Sequence, residues 1–220
     1  RDCAESDEAH RHAGRFRRRP KRIHQRPFHR RVTRVLGLMR VILGIDPGSV
    51  KTGWGVIALE GSTPHYRASG ILKLGQGTMA ERLLILHDGL SDVLATHAPN
   101  EAAIEEVFLA KNFQSALKLG QARGVAMLAA GRANIPLREF AAKTVKQAIC
   151  GQGQAAKAQV QNMVMKTLKL TENPGEDAAD ALAIALCAGY SKTGDQAHAR
   201  FRLSSRSRSG SRWRMKDESA

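Results

Sequence analysis

The chain has 220 residues, which suits one domain of ordinary size and leaves little room for two. Its formal charge of +15 and pI near 10.5 point to a polyanionic partner. No apolar run reaches the roughly 18 residues a membrane-spanning helix needs, and Cys3, Cys150 and Cys187, with no CxxC spacing, argue against a disulfide framework or a zinc site. The expected setting is reducing, soluble and cytoplasmic, with no membrane partner.

The positive charge is unevenly placed. Residues 1–38 hold 12 Lys and Arg against 4 Asp and Glu, residues 196–220 hold 7 against 2, and the stretch between holds 16 against 14. Both ends are poor in aliphatic residues and carry no sustained apolar period, so burial cannot offset their ordering entropy. We therefore expect a disordered basic head over 1–38, one folded domain over 39–192, and a disordered Ser/Arg-rich tail over 193–220. Met39, immediately before the first strand pattern, is a candidate native start.

In chain order, "RVILGID" (40–46) reads as a buried strand and "PGSVKTG" as the turn after it. "WGVIALE" and "YRASGILKL" follow as two more strands, antiparallel because their linkers are too short for helical crossovers. Residues 78–97 place Leu83, Leu86, Leu90 and Leu94 at helical spacing behind Thr78, with Glu81 completing a capping box. "EAAIEEVF" (101–108) predicts a fourth strand. "FQSALKLGQARGVAMLAAGRA" predicts a helix with Gly120 and Gly124 on one face for close packing, either at a dimer interface or only within the monomer, and "IPLREFA" a fifth strand. A short helix near 143–149, a "GQGQ" loop, a helix from Ala155 to about Leu170 and a helix within 173–189 complete the pattern. The order βββαβαβ, then helices, predicts an α/β domain on a mixed sheet.

Single acids interrupt these apolar patterns. Asp46 ends the first strand, sharing a face with Ile42 and Gly44, while Val41, Leu43 and Ile45 take the other. An Asp before Pro-Gly is equally a turn former. In "AAIEEVF", Glu105 and Glu106 must point to opposite faces, so at most one of them can meet Asp46. The last helix opens with Glu176, Asp177 and Asp180. Asp177 and Asp180 are three apart and share a helix face, but acids are also favoured at a helix N-terminus by capping and the macrodipole. Two strand acids and two helix acids form a set able to converge at one end of a sheet, tolerable if they titrate up or hold a hard cation such as magnesium. Such a site suits phosphoryl transfer.

"ILGIDPGSVKTGWGVI", "AIEEVFLAKNFQSALKLGQARGVA", "AAKTVKQAICGQG", "KAQVQNMV" and "NPGEDAADALAIA" together resemble the RuvC family, bacterial crossover-junction endodeoxyribonucleases that resolve Holliday junctions. The resemblance spans about 39–190, with five motifs in the right order. It implies a ribonuclease-H-like fold, a homodimer, four-way junction DNA as substrate, and two magnesium ions per site, with manganese able to substitute. It implies paired symmetric nicks that leave 5′-phosphate and 3′-hydroxyl ends, and a partnership with a branch-migration helicase of the RuvA and RuvB type.

By that resemblance Asp46, Glu105, Asp177 and Asp180 fall on the metal-binding catalytic acids. Lys146 and Lys157 fall on the lysines that contact phosphate and support catalysis, Phe108 on an aromatic that stacks near the junction centre, and Lys111 on a basic position near the scissile step. Read from the residues alone, the two lysines are equally ordinary solvated helix lysines, and Phe108 is equally a core residue beyond the fourth strand. Arg123, between the two glycines, is either a DNA contact or the cap of a packing face. Two other readings of the chain can be weighed. "GIDPGSVKTG" also resembles the phosphate loop of actin-like ATPases and sugar kinases, which need two such domains where this chain has one. A non-catalytic junction-binding module would require loss of an acid, and all four positions are acidic.

Overall fold

The computed structural model describes residues 39–106 and 113–191. Phe108 and Lys111 lie outside these residues, as do the head and the whole of the tail.

The branched, apolar run after Met39 forms β1 (Met39–Asp46), and β2 (Lys51–Glu60) returns antiparallel beside it. The strand begins at Lys51, inside the predicted turn. Thr52 is fully buried and its Oγ1 lies 3.2 Å from the Gly48 amide and 3.3 Å from the Gly48 carbonyl, closing the turn early enough for Gly53 to pair with Asp46. A short turn leads to β3 (Thr63–Lys73), antiparallel to β2. Helix α1 (Met79–His97) starts with the expected capping box, in which the Glu81 amide donates to the Thr78 hydroxyl and the Thr78 amide donates to the Glu81 carboxylate at 2.7 Å.

The chain then crosses over to β4 (Glu101–Glu105), which lies parallel to β1 on the side away from β2. Helix α2 (Phe113–Arg132) leads to β5 (Leu137–Phe140), parallel to β4. The five strands run β3-β2-β1-β4-β5, the mixed sheet that the element order implies. Helices α3 (Ala142–Cys150), α4 (Lys157–Leu168) and α5 (Glu176–Tyr190) complete the described chain.

Strand parity sorts the core into two halves. Val41, Leu43, Ile45, Ala102 and Ile104 pack with the buried leucines of α1 and the buried alanines of α2. Ile42, Ile57 and Ala103 face the other way and pack with α3, α4 and α5. Helix α5 is buried through ten residues between Ala178 and Ala188, six of them alanine. Its small side chains match glycines beneath it. A Cβ at Gly44 would lie 2.0 Å from the Ala181 carbonyl oxygen, one at Gly53 2.0 Å from the Asp177 carbonyl oxygen, and one at Gly55 2.7 Å from the Leu182 side chain. Gly44 pairs with Gly55 across the strands. The helix backbone therefore rests on a strip of sheet that has no side chains.

One sequence expectation changes: strand β4 ends at Glu105. Of the two packing roles open to Gly120 and Gly124, the one within the monomer is not seen among the described residues, since nothing stands within 4 Å of a Cβ built at either. They belong instead to an exposed stripe of α2 with Phe113, Leu117 and Leu128.

Candidate active site

Three backbone elements bring four acids to one end of the sheet. Asp46 is the last residue of β1 and Glu105 the last of β4. Ile45 pairs with Ile104 in parallel register, so the next residue of each strand, an acid in both cases, emerges on the α5 face. Glu106 takes the opposite parity and is exposed. The glycine strip carries the α5 N-terminus to the same place, with the Asp177 backbone lying against Gly53, the cross-strand partner of Asp46. Asp180 follows on the same face of α5, one turn further in.

Electrostatics record this convergence. Asp46 is pushed up to about 7, first by burial and then by Glu105, Asp180 and Asp177, against a smaller opposing pull from Lys157. Burial also raises Glu105, with Asp180 adding to it and Lys157 and Lys146 opposing. Asp180 is raised by burial too, and its hydrogen bond from Lys157 is the largest opposing influence. Carboxylates so placed lack counter-charge, which is the condition a hard dication relieves.

Lysines supply part of that counter-charge. Lys157 Nζ lies 2.6 Å from Glu176 Oε1 and 3.0 Å from Asp180 Oδ2, bridging two acids of the first turns of α5. Its own proton is held more tightly than usual, chiefly through the Glu176 hydrogen bond. Lys51 Nζ lies 2.5 Å from Asp177 Oδ2. Among the described residues no three acidic, His or Cys side chains are drawn close enough to form a preassembled metal cage. The acids repel one another and two of the four are turned to lysines. The donor set is nonetheless all oxygen, anionic and under-compensated, so it fits magnesium better than a softer ion.

A cleft of about 380 Å³ opens beside the acids, with Glu105, Lys146, Lys157 and Asp180 at its wall and Val145 and Ile184 among its apolar lining. Lys146 thus shares a cavity with Lys157. Arg123 is engaged internally: its Nε donates to the Glu105 carbonyl at 3.2 Å and its guanidinium pairs with Glu139. That arrangement ties α2 to the ends of β4 and β5, directly behind Glu105.

Three features of the site are not visible in the sequence pattern. Lys51 reads as part of a turn, and its acid lies 126 positions away. Glu176 reads only as a helix-dipole partner, yet it grips Lys157. The N-cap of α5 is Gly175 with no side-chain cap, so the acids of this helix are not its capping groups. The glycine strip carries the one readable signal, Gly44, Gly53 and Gly55 alternating with apolar residues, but only the opposing helix explains it.

A mixed sheet in this order, with acids at the ends of two adjacent parallel strands and on a helix crossing them, defines a ribonuclease-H-like fold. The family profile described as "Crossover junction endodeoxyribonuclease RuvC" matches residues 42–188. The chain is 52% identical over 158 residues to the crossover junction endodeoxyribonuclease RuvC of Idiomarina loihiensis, covering 70% of this chain and 89% of that one. It is 49% identical over 177 residues to the same enzyme of Ectopseudomonas mendocina, covering 80% of this chain and the whole of that one. Among solved structures it is similar to T. thermophilus RuvC in complex with a Holliday junction substrate, with a TM-score of 0.64 and 36% identity over 67% of this chain and 92% of that one. The chain belongs to the RuvC family of crossover junction endodeoxyribonucleases, which are metal-dependent nucleases.

Proposed function

We infer that this chain, a crossover junction endodeoxyribonuclease by family, resolves four-way DNA junctions by paired symmetric nicks at the site formed by Asp46, Glu105, Asp177 and Asp180. The observation that carries the reading is the convergence of four acids from β1, β4 and α5, with Asp46 raised to about 7 by burial and by the other three.

These four residues would hold two magnesium ions, with manganese able to substitute. Bound there, the ions supply charge neutralisation at the scissile phosphodiester and ease the formation of a hydroxide nucleophile. The protein's own contribution is placement. The parallel pair β1 and β4 fixes Asp46 and Glu105 on rigid backbone, and the glycine strip sets Asp177 and Asp180 opposite them. Lys157, held by Glu176, and Lys146, across the cleft, neutralise the phosphate and the charge that develops on it. In-line attack by water then yields 5′-phosphate and 3′-hydroxyl ends. Phe108, Lys111 and Arg123 are assigned to junction DNA by resemblance. For Arg123 the internal contacts with Glu105 and Glu139 favour the alternative role of bracing the site.

A junction with two-fold symmetry calls for two equivalent sites, hence a C2 homodimer. The exposed stripe of Phe113, Leu117, Gly120, Gly124 and Leu128 on α2 supports this, because two glycines amid apolar side chains allow close helix approach and the described residues leave them uncovered. The catalytic unit is 39–192, and the basic ends add salt-sensitive duplex affinity. No described helix is long and apolar enough to cross a membrane. We place the enzyme in the cytoplasm, working with a branch-migration helicase of the RuvA and RuvB type.

The test is a synthetic four-way junction incubated with the full chain in magnesium, in chelator, and with Asp46→Asn in magnesium. Only the first should nick, and symmetrically. Equal nicking in all three would remove the metal assignment, and indifference between junction and linear duplex would remove junction selectivity.

A further inference from the structure

Two lysines rest on the acidic site, and they are held differently. Lys157 contacts Asp180 and Glu176, so it keeps a partner if Asp180 is taken by another cation. Lys51 pairs with Asp177, and no second acid lies within ion-pair distance of it among the described residues. Its side chain is 54% exposed, whereas that of Asp177 is 18% exposed. The ammonium therefore approaches the site from solvent, at the exit of the turn that Thr52 closes, and can leave it by rotation of its own side chain.

We propose that Lys51 is a phosphate-binding residue that exchanges partners: it neutralises Asp177 while the acidic site lacks its cations, and moves to a DNA backbone phosphate when they bind. The inference rests on the assignment of Asp177 to the cation site. A dication and an ammonium cannot both sit on one carboxylate without repulsion, so the weaker and more mobile of the two is displaced. Once displaced, Lys51 remains within a side chain's sweep of the acids that face the scissile phosphate, where a backbone phosphate is the anion available to it. The exchange couples the two binding events. Cation binding frees a phosphate ligand, and phosphate binding removes a competitor of the cation, so each favours the other by the same factor.

Lys73 provides the control. It is the cross-strand neighbour of Lys51, is exposed, and makes no ion pair with an acid among the described residues. Substituting either lysine removes one positive charge from the same end of the β2–β3 pair, but only Lys51→Met removes the contact with Asp177.

The experiment uses the full chain as wild type, Lys51→Met and Lys73→Met, with folding checked by circular dichroism. Magnesium is titrated calorimetrically without DNA, and steady-state cutting of a synthetic junction is measured over a range of salt. Lys51→Met should bind magnesium about 2- to 5-fold more tightly than wild type, the scale of an exposed ion pair. In cutting, its KM should rise several-fold with kcat changed by less than about 2-fold, and the dependence of log KM on log salt should become shallower by about 0.9, one phosphate contact. In chelator its junction affinity should equal that of Lys73→Met. Lys51→Met and Lys73→Met behaving alike in both magnesium affinity and KM would overturn the exchange while leaving the acidic site standing. A wild-type chain that takes up no magnesium would overturn the site assignment and the exchange with it.

Discussion

The two faces of one sheet are built from the same strands, yet they obey different rules. On the α1 and α2 face, Val41, Leu43 and Ile45 meet Leu86, Leu90 and Leu94, large side chains that interdigitate as in any close-packed core. On the α5 face the central contact is backbone on backbone, with Gly44, Gly53 and Gly55 beneath an alanine-rich helix, and at its end stand Asp46, Glu105, Asp177 and Asp180. The first face stores stability. The second sacrifices side-chain burial for proximity, because a helix held off by ordinary side chains could not bring its first turns alongside two strand ends. Alternation along a strand is what lets one segment do both.

Substitutions on each face should separate the two roles. Asp46→Asn should give the largest effect, a loss of junction cutting of about 10³-fold, read as single-turnover rate in magnesium, with thermal stability at pH 8 equal to or above wild type because a buried charge is removed. Gly53→Ala comes next. Its Cβ would lie 2.0 Å from the Asp177 carbonyl oxygen, so α5 must lift; cutting should fall about 100-fold and stability by about 1–3 kcal/mol in urea unfolding. Leu90→Ala, on the other face, should cost about 2–5 kcal/mol in the same unfolding experiment and leave the cutting rate per folded molecule within about 2-fold of wild type.

The pH response of stability in chelator should follow the α5 face alone. Asp46 is raised from 3.8 to about 7 in the folded protein, so the folded state holds a proton that the unfolded state has released. That contribution is fully present below pH 3.8 and is lost as pH rises through about 7, so chelated wild type should lose about 2–3 kcal/mol between pH 5 and pH 8. Asp46→Asn should flatten the curve and Leu90→Ala should leave its shape intact. The smallest effect belongs to Glu176→Gln, which loosens Lys157 without removing it and should slow cutting about 2- to 5-fold while leaving magnesium affinity nearly unchanged.

Much of this was legible in the sequence because strand patterns report parity directly. The alternation in "RVILGID" and "AAIEEVF" puts Asp46 and Glu105 on definite faces without any knowledge of what lies opposite, and Thr78 with Glu81 marks the start of α1 by a local hydrogen-bond pair. What stayed hidden depends on partners distant in the chain. Gly53 reads as turn chemistry until the Asp177 backbone is laid against it. Lys51 reads as a loop lysine until Asp177 is found at its ammonium. Gly120 and Gly124 look like packing glycines, and within the described protomer their face meets nothing. Local chemistry is written in spacing, whereas contact between a strand and a helix more than a hundred residues away depends on the whole fold.

The central claim is that the acids of the α5 face form one cation site with Asp46 at its centre. The most direct test is calorimetric titration of magnesium into the full-length chain at pH 6.5, repeated in buffers of different ionisation enthalpy, for wild type, Asp46→Asn and Leu90→Ala. Because Asp46 is largely protonated at that pH, magnesium uptake should release protons in wild type and in Leu90→Ala, and both uptake and release should collapse in Asp46→Asn. Equal uptake by Asp46→Asn, or binding by wild type with no proton release, would contradict the account.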